Sequence, residues 1–431
     1  MVDDRDLPDR LRALRGMDRI LAALEGAPPC YLVGGGVRDM LLEREPRDID
    51  IAVEGDAEAV AERLAVALGG ELTTHERFGT ATVTAGGVDA VNLARTRRET
   101  YSAPGVLPNV EPAPLPEDLG RRDFTINAMA LVLNGDAIRE LVDPHGGRAD
   151  LGAGVVRVLH ERSFVDDPTR LLRAVRYAAR LGFAIEPDSE RWARTAIAAG
   201  ALTTVSGPRI RDELLDLLAE HETPAAVELL TGLGIDAALH PQLRADPELI
   251  ASAKLGAAET GADSVLTALA ALCVARAPEA DSAAADRTVT ADPWTLDERD
   301  GIAGWIDRLA LPGGGRDDVL RAAERAPALA AALRGDLRPS ELRSLVDGEP
   351  AETLALALAL GAPAKPVLEY VSRLRGTRLE ITGADLLAAG LPESPALGRA
   401  LEATLARKLD GEVEGRDEEL RVALEIAQRE A

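Results

Sequence analysis

Two aspartates separated by one residue, Asp48 and Asp50, have the type and spacing that could do chemistry most directly. The segment from Asp48 to Val53 alternates polar and apolar residues, which predicts a β-strand with both carboxylates on one side. Mg²⁺ accepts a few carboxylates together with substrate phosphate oxygens. Two such ions could activate an attacking hydroxyl and stabilise a leaving pyrophosphate. An isolated Asp-x-Asp is more often a solvent-facing strand edge, so its neighbours must decide.

A glycine-rich turn precedes this pair. Residues 31–33 predict a short buried strand, followed by the glycines of residues 34–36 and a helix over 37–42 that carries Arg38. Glycines let the backbone approach a phosphate closely, and the N–H groups at a helix start face the anion. A plain strand-to-helix turn would look the same. The position of Asp48, nine residues after Asp39, favours the phosphate site.

A third group of polar residues begins at Asp166 and Asp167. Pro168 suits the first position of a helix and Asp167 its N-cap. At 100° per residue, four arginines share an arc of about 120° and apolar residues occupy the opposite arc. The arginines are Arg170, Arg173, Arg176 and Arg180. An ordinary amphipathic helix would explain this pattern; alternatively, Asp167 and Arg170 offer directional acceptors and donors to a base edge.

Two further groups complete the candidates. Arg121 and Arg122 could clamp a triphosphate or a sugar, or could form only a surface salt bridge. His145 and His160 lack partners at metal-ligand spacing.

These segments resemble the motifs of class II tRNA nucleotidyltransferases, the bacterial and eukaryotic CCA-adding family that includes bacterial poly(A) polymerases. The matching segments are 32–42 with 47–52, then 121–130, 143–151, 166–176 and 205–214. Good coverage spans roughly residues 29–214, with a weaker match over 380–415.

The resemblance implies a role for each matching residue. It implies that Asp48 and Asp50 bind Mg²⁺ and are catalytic. It also implies that Asp167 and Arg170 read the base, selecting cytosine and adenine. The implied nucleotide contacts are Gly35, Arg38, Arg122, Arg173 and Arg176, while Ser206 and Glu213 brace the helices. The chain departs from the family at Asp166, where Glu is usual, and at Asn92, where many relatives carry Asp or Glu.

The loop over residues 94–119 bears on specificity. In this family it helps to switch selection from CTP to ATP, and here it is similar to that of members that add A, alone or after CC. We therefore expect CCA or terminal-A addition to the tRNA 3′ end from ATP and CTP. The alternatives are a poly(A) polymerase and, in another class, a non-catalytic RNA-binding or scaffold protein.

The pattern of strands and helices that must position these residues predicts an α+β fold. A small mixed α/β head is expected over 1–155, with strands near 71–74, 80–84 and 88–93. A helical neck over 156–220, a helical body over 221–370 and a tRNA-contacting or merely packing tail over 371–431 follow. Residues 10–27 predict one helix, Asp56 caps a second that ends near Gly69, and residues 278–292 and 312–315 resemble connectors.

Composition limits these expectations. The 431 residues carry a net charge of −24, which by itself argues against nucleic-acid binding. A local arginine stripe along the neck could coexist with an acidic exterior, and Lys254, Lys365 and Lys408 are the only lysines. Two distant cysteines, no signal-like N-terminus and no long apolar run predict a soluble, cytoplasmic protein.

Overall fold

A computed structural model describes residues 6–46, 48–75, 79–135, 140–243, 245–274 and 301–430. Arg47 of the first motif and the connector predicted over 278–292 lie outside the described residues. The described chain forms two compact units. The first contains residues 6–213 and 229–239, and the second contains 214–228, 240–274 and 301–430. The four predicted segments are a finer division than these units and stay a prediction.

The first unit begins as a mixed α/β head. Its strands are β1 (Cys30–Val33), β2 (Ile49–Val53), β3 (Glu71–His75), β4 (Thr80–Thr84), β5 (Val91–Arg95), β6 (Arg97–Thr100), β7 (Asn109–Pro112), β8 (Ala130–Val132) and β9 (Leu141–Val142). Its helices are α1 (Leu7–Ala13), α2 (Met17–Leu24), α3 (Gly35–Leu41), α4 (Ala57–Leu68), α5 (Leu115–Gly120) and α6 (Gly147–Ala153).

Seven of these strands form one sheet in the order β3-β4-β5-β2-β1-β8-β9. Strands β2 and β5 run parallel, and the other neighbouring pairs are antiparallel. Helix α4 packs on β2, β4 and β5 through buried side chains that include Leu64. As predicted, Asp56 caps α4, and its carboxylate accepts from the backbone of Glu58 and Ala59. Because side chains alternate along a strand, Asp50 faces away from the buried Ile49 and Ile51.

The neck that follows is helical except for a two-stranded parallel ribbon of β10 (Val155–Val156) and β11 (Ala184–Ile185). Its helices are α7 (Ser163–Asp166), α8 (Thr169–Leu181), α9 (Pro187–Ala198) and α10 (Gly207–Ala219). Helices α11 (Thr223–Leu233) and α12 (Ile235–Leu239) follow in the segment that was predicted as the helical body. The predicted α+β class, with a mixed head and a helical remainder, is confirmed.

The single helix predicted over residues 10–27 is wrong, because the chain turns between α1 and α2. Gly16 adopts a positive φ of 77° at the start of α2. A Cβ there would lie 2.5 Å from the Val88 side chain, so only glycine fits this turn. Leucine periodicity continues across the turn and hides it from sequence-pattern analysis.

Residues 94–119 contain more structure than the predicted long loop. Strands β6 and β7 form an antiparallel hairpin, with Arg97 opposite Pro112 and Thr100 opposite Asn109. Helix α5 follows directly. We call residues 97–112 the β6–β7 hairpin below.

The second unit is built from helices in the part of the chain that the structure describes. They are α13 (Pro247–Thr260), α14 (Ser264–Cys273), α15 (Gly301–Leu309), α16 (Gly315–Ala332), α17 (Pro339–Val346), α18 (Ala351–Ala359), α19 (Ala364–Ser372), α20 (Gly383–Ala388), α21 (Pro395–Leu409) and α22 (Arg416–Glu430). Helices α13 and α18 approach closely at Gly256, where a Cβ would lie 2.4 Å from the Ala355 carbonyl oxygen. No described helix is long and apolar enough to cross a bilayer.

Candidate active site

The two aspartates lie at the start of β2, in the middle of the head sheet. Asp48 is exposed and precedes the strand by one residue, whereas Asp50 is half-buried within it. The Asn92 amide on the parallel neighbour β5 donates to Asp50 Oδ1 at 3.1 Å. Burial raises the pKa of Asp50, the Asn92 hydrogen bond opposes this, and the charge of Asp48 raises the pKa further. Asp48 is therefore close enough to influence the Asp50 carboxylate.

The donor set of this pair fits a divalent cation that the substrate helps to hold. Asp48 and Asp50 supply carboxylate oxygens, and the described residues contain no group of three or more His, Cys, Asp or Glu side chains arranged for a metal. Mg²⁺ commonly binds one or two carboxylates and completes its shell with waters and substrate phosphates. The pair therefore suits a site that is completed by substrate.

The glycine turn joins β1 to α3 beside these carboxylates. Gly34 has a φ of 68°, and a Cβ there would lie 3.0 Å from Nη1 of Arg122. Arg122 therefore lies over the turn. Gly35 begins α3 and is half-buried. Arg38 is buried and donates to Asn127 Oδ1 and Asp39 Oδ1, both at 2.8 Å, so its guanidinium braces the head from inside.

Asp118 holds both arginines of the second motif. It is 1% exposed and accepts from Arg121 at 2.7 Å and from Arg122 at 3.0 Å. Burial would raise the pKa of Asp118, but the two guanidinium groups outweigh it and leave the pKa lowered. The Arg122 Nε is buried without a partner among the described residues. A buried donor without an acceptor is costly, so this arginine is suited to an anionic ligand.

The predicted base-reading residues, Asp167 and Arg170, lie at the junction of α7 and α8. Asp167 Oδ1 accepts from Thr169 Oγ1 and from Arg209 Nη2, each at 2.7 Å. The described residues place no donor on Asp167 Oδ2. Arg170 is 5% exposed and donates from Nη2 to the Arg121 carbonyl at 2.7 Å, while its Nη1 is buried without a described partner. Asp167 Oδ2 and Arg170 Nη1 are thus available to a ligand.

Two cavities border Asp50 and the predicted base readers. One of about 360 Å³ is bordered by Asp50 and Asn92, and the other, of about 430 Å³, by Asp167 and Arg170. Arg121 and Arg122 line both. Asp50 and the predicted base readers therefore border cavities that share Arg121 and Arg122, whereas Asp48 lines neither cavity. Neither His145 nor His160 lines these cavities.

The arginine face of α8 differs from the predicted open basic stripe. Arg173 pairs with Asp123 at 2.7 Å and Glu213 at 3.0 Å, and Arg176 pairs with Glu213 at 2.7 Å. Arg170 and Arg176 are buried. Arg173 lines the larger cavity, whereas Gly35, Arg38 and Arg176 line neither of the two. All the predicted nucleotide contacts stay predictions. Glu213 links α10 to α8 through its pairs with Arg173 and Arg176.

Sequence analysis missed two residues that hold the site side chains in place: Asp118, which holds Arg121 and Arg122, and Arg209, which holds Asp167. The spacing of Asp118 to Arg121 and Arg122, at i+3 and i+4, is a helical ion-pair signal that could have linked them. Asp167 and Arg209 are 42 positions apart, and no local pattern joins them. The N-cap prediction was displaced by one residue, since Pro168 is the N-cap of α8. The Asp167 carboxylate still accepts from the Thr169 backbone at 3.2 Å.

A mixed sheet that carries two carboxylates beside a glycine turn, with Asp50 bordering an arginine-lined cavity, defines the nucleotidyltransferase class of head. Residues 30–157 match the family described as "Poly A polymerase head domain", and residues 182–246 match "Probable RNA and SrmB- binding site of polymerase A". An A-adding tRNA nucleotidyltransferase of Geobacter sulfurreducens is 34% identical over 98% of this chain and 48% of its own length. A CC-adding tRNA nucleotidyltransferase of Deinococcus radiodurans is 33% identical over 90% and 87%, respectively.

The solved structure of a CCA-adding enzyme in an apo form is 32% identical. It covers 98% of this chain and 96% of its own, with a TM-score of 0.78. The chain belongs to the tRNA nucleotidyltransferase family. It spans between 24% and 54% of the length of the three most similar A-adding relatives, about half or less.

Proposed function

We propose that this chain adds nucleotides to the 3′ end of tRNA without a nucleic-acid template, using ATP and CTP and releasing pyrophosphate. The observation that carries the proposal is the shared position of Arg121 and Arg122, which border both the carboxylate cavity and the base-reading cavity. A nucleoside triphosphate could reach Asp50 with its phosphates while Asp167 and Arg170 contact its base. The names of the A-adding and CC-adding relatives support the same chemistry.

Different residues would bind the metal, the phosphates and the base. Asp48 and Asp50 would hold Mg²⁺, which in this class polarises the phosphate and lowers the pKa of the attacking hydroxyl. Arg122 would pair with the phosphates. Cytosine and adenine each present an amino donor beside a ring-nitrogen acceptor, which matches the Asp167 carboxylate and the Arg170 guanidinium. Guanine and uracil present the reverse pattern and would leave both protein groups unpaired.

The β6–β7 hairpin favours a product that ends in A, because it is intact and similar to the loop of family members that add A. Arg98 pairs with Glu111 across its two strands at 2.6 Å. We therefore favour addition of CCA, or of the terminal A alone, over addition of CC. A poly(A) polymerase of the same family remains the second candidate within the same chemistry. The proposed substrates are cytoplasmic molecules, so the proposal also assigns the protein to the cytoplasm.

The test uses three tRNAs that lack CCA, CA or only the final A. Each is incubated with the protein, Mg²⁺ and labelled CTP, ATP or both, and the products are sized at single-nucleotide resolution. CCA addition predicts extension of all three, whereas A addition predicts extension only of the tRNA that ends in CC. Long ATP-dependent tails on unstructured RNA would identify a poly(A) polymerase. Failure to extend any RNA would support the non-catalytic alternative.

A further inference from the structure

Arg209 connects the β6–β7 hairpin to Asp167, the proposed base reader. It lies in the first turn of α10, and its guanidinium reaches two places at once. Nη2 donates to Asp167 Oδ1 at 2.7 Å, and Nη1 donates to the Gly105 carbonyl oxygen at 2.8 Å. Its side chain borders the larger cavity and is 25% exposed. This two-point geometry uses the planar fork of arginine, which lysine cannot reproduce.

The hairpin end of this bridge is anchored in turn. Gly105 lies between β6 and β7 with a φ of 70°, and its N–H donates to the Asp166 carbonyl at 3.3 Å. A Cβ at this position would lie 2.1 Å from Thr204 Oγ1 and 2.7 Å from the Thr204 carbonyl oxygen. Neither the backbone conformation nor the space admits another residue without displacement. Contacts with Asp166, Thr204 and Arg209 therefore fix the backbone of the turn at Gly105 close to Asp167.

We propose that Arg209 is a positioning residue for base selection, which acts through Asp167 and is itself held in place by Gly105. This inference rests on the proposed function, because it requires Asp167 to read the base. Arg209 and Thr169 fix Oδ1, so the carboxylate cannot rotate and Oδ2 is the acceptor left for a base amino group. A rotating carboxylate would accept from water or from a wrongly placed base almost as well, and discrimination would fall.

The variant Arg209→Gln should lower selectivity more than it lowers activity. The measurement is kcat/KM for ATP and for GTP on a tRNA that ends in CC. We expect the ATP-to-GTP ratio to fall roughly tenfold or more, because loss of a directed polar contact costs selectivity of that order. Arg209→Lys should give a smaller fall, since it keeps the charge but makes one contact. The matched control Arg191→Gln removes an arginine that pairs with the exposed Asp188 on α9, and it should leave the ratio unchanged.

Two further variants separate positioning from plain structural support. Gly105→Ala leaves Arg209 in place but displaces its second anchor, so the ratio should fall in the same direction. In an Asp167→Ala background, Arg209→Gln should cause no further loss of selectivity, because the residue through which it acts is absent. Melting temperatures of all variants identify any that fail to fold, in which case Arg209→Lys and Gly105→Ala carry the test.

The outcomes distinguish this inference from the proposed function. A wild-type protein that transfers no nucleotide would refute the proposed function itself. An active wild type whose ATP-to-GTP ratio is unaltered by Arg209→Gln and Gly105→Ala would overturn only the role of Arg209. Equal losses of kcat/KM for ATP and GTP would also overturn it, since they indicate structural support alone.

Discussion

Asn92 is an uncharged residue that occupies a position next to the carboxylate pair. Its amide nitrogen donates to Asp50 Oδ1, and its oxygen accepts from Thr82 Oγ1 at 3.0 Å. Three neighbouring strands thus fix the orientation of the Asp50 carboxylate. An acidic residue at this position would add a third charge beside two aspartates that already repel one another. The asparagine therefore fixes the orientation of the Asp50 carboxylate without adding a third negative charge.

The variant Asn92→Asp should bind divalent cations more tightly. A third carboxylate beside Asp50 strengthens the attraction for Mg²⁺ and supplies further oxygen ligands. We expect the Mg²⁺ concentration for half-maximal nucleotide incorporation to fall several-fold. Asn92→Ala serves as the control, since it removes the hydrogen bond without adding charge. An unchanged Mg²⁺ requirement in Asn92→Asp would show that position 92 does not face the cation.

At the scale of elements, helix α8 shows what a sequence pattern can and cannot establish. Its periodicity correctly predicts an amphipathic helix, yet the arginine side is covered. Arg173 reaches Asp123, 50 positions away, and Glu213, 40 positions away. Burial would raise the pKa of Asp123, but Arg173 and the Asn127 amide outweigh burial and lower it to about 2. This carboxylate therefore links the head to α8 most strongly in its ionised form.

The variant Asp123→Asn should destabilise the fold in a pH-dependent way. The folded pKa of about 2 is below the ordinary value of 3.8, so ionisation stabilises the fold above about pH 4. A shift of this size corresponds to roughly 2 kcal/mol. The stabilisation is lost as the pH falls towards 2, so the difference in free energy of unfolding between wild type and variant should shrink over that range.

Urea unfolding from pH 7 down to the lowest pH at which the wild type folds would measure this difference. Asp188→Asn is the matched control, because its partner Arg191 is exposed and such pairs contribute little. A difference between wild type and Asp123→Asn that stays constant with pH would show that the Asp123–Arg173 pair does not stabilise the fold through charge.

Local signals account for most of the elements that sequence analysis predicted correctly. The alternation around Ile49 and Ile51, the cap at Asp56 and the long helices of the neck all depend on nearby residues. The failures depend on distant ones. Val88 determines the turn at Gly16, and Thr204 determines the turn at Gly105 within the hairpin that was predicted as a loop. For the same reason, the candidate readers were found from one segment, whereas their partner Arg209 was not.

At the scale of the whole molecule, acidity and RNA recognition must be reconciled. The larger share of the excess negative charge lies after residue 213, outside the segment that carries the site. Within the first unit, arginines concentrate around the two cavities, where buried acids such as Asp118 hold them in place. The net charge of −24 is thus a poor guide to the potential that a triphosphate meets at the site.

The central claim is that Asp48 and Asp50 support nucleotide transfer at a site shared with the base readers. The most direct measurement compares wild type with Asp50→Asn for incorporation of labelled ATP into a tRNA that ends in CC, with Mg²⁺ present and melting temperatures matched. The substitution keeps the shape of the side chain and removes its charge. We predict that the wild type adds a single A and that the variant is slower by roughly a thousandfold or more. A variant rate within a few-fold of the wild-type rate would contradict the account.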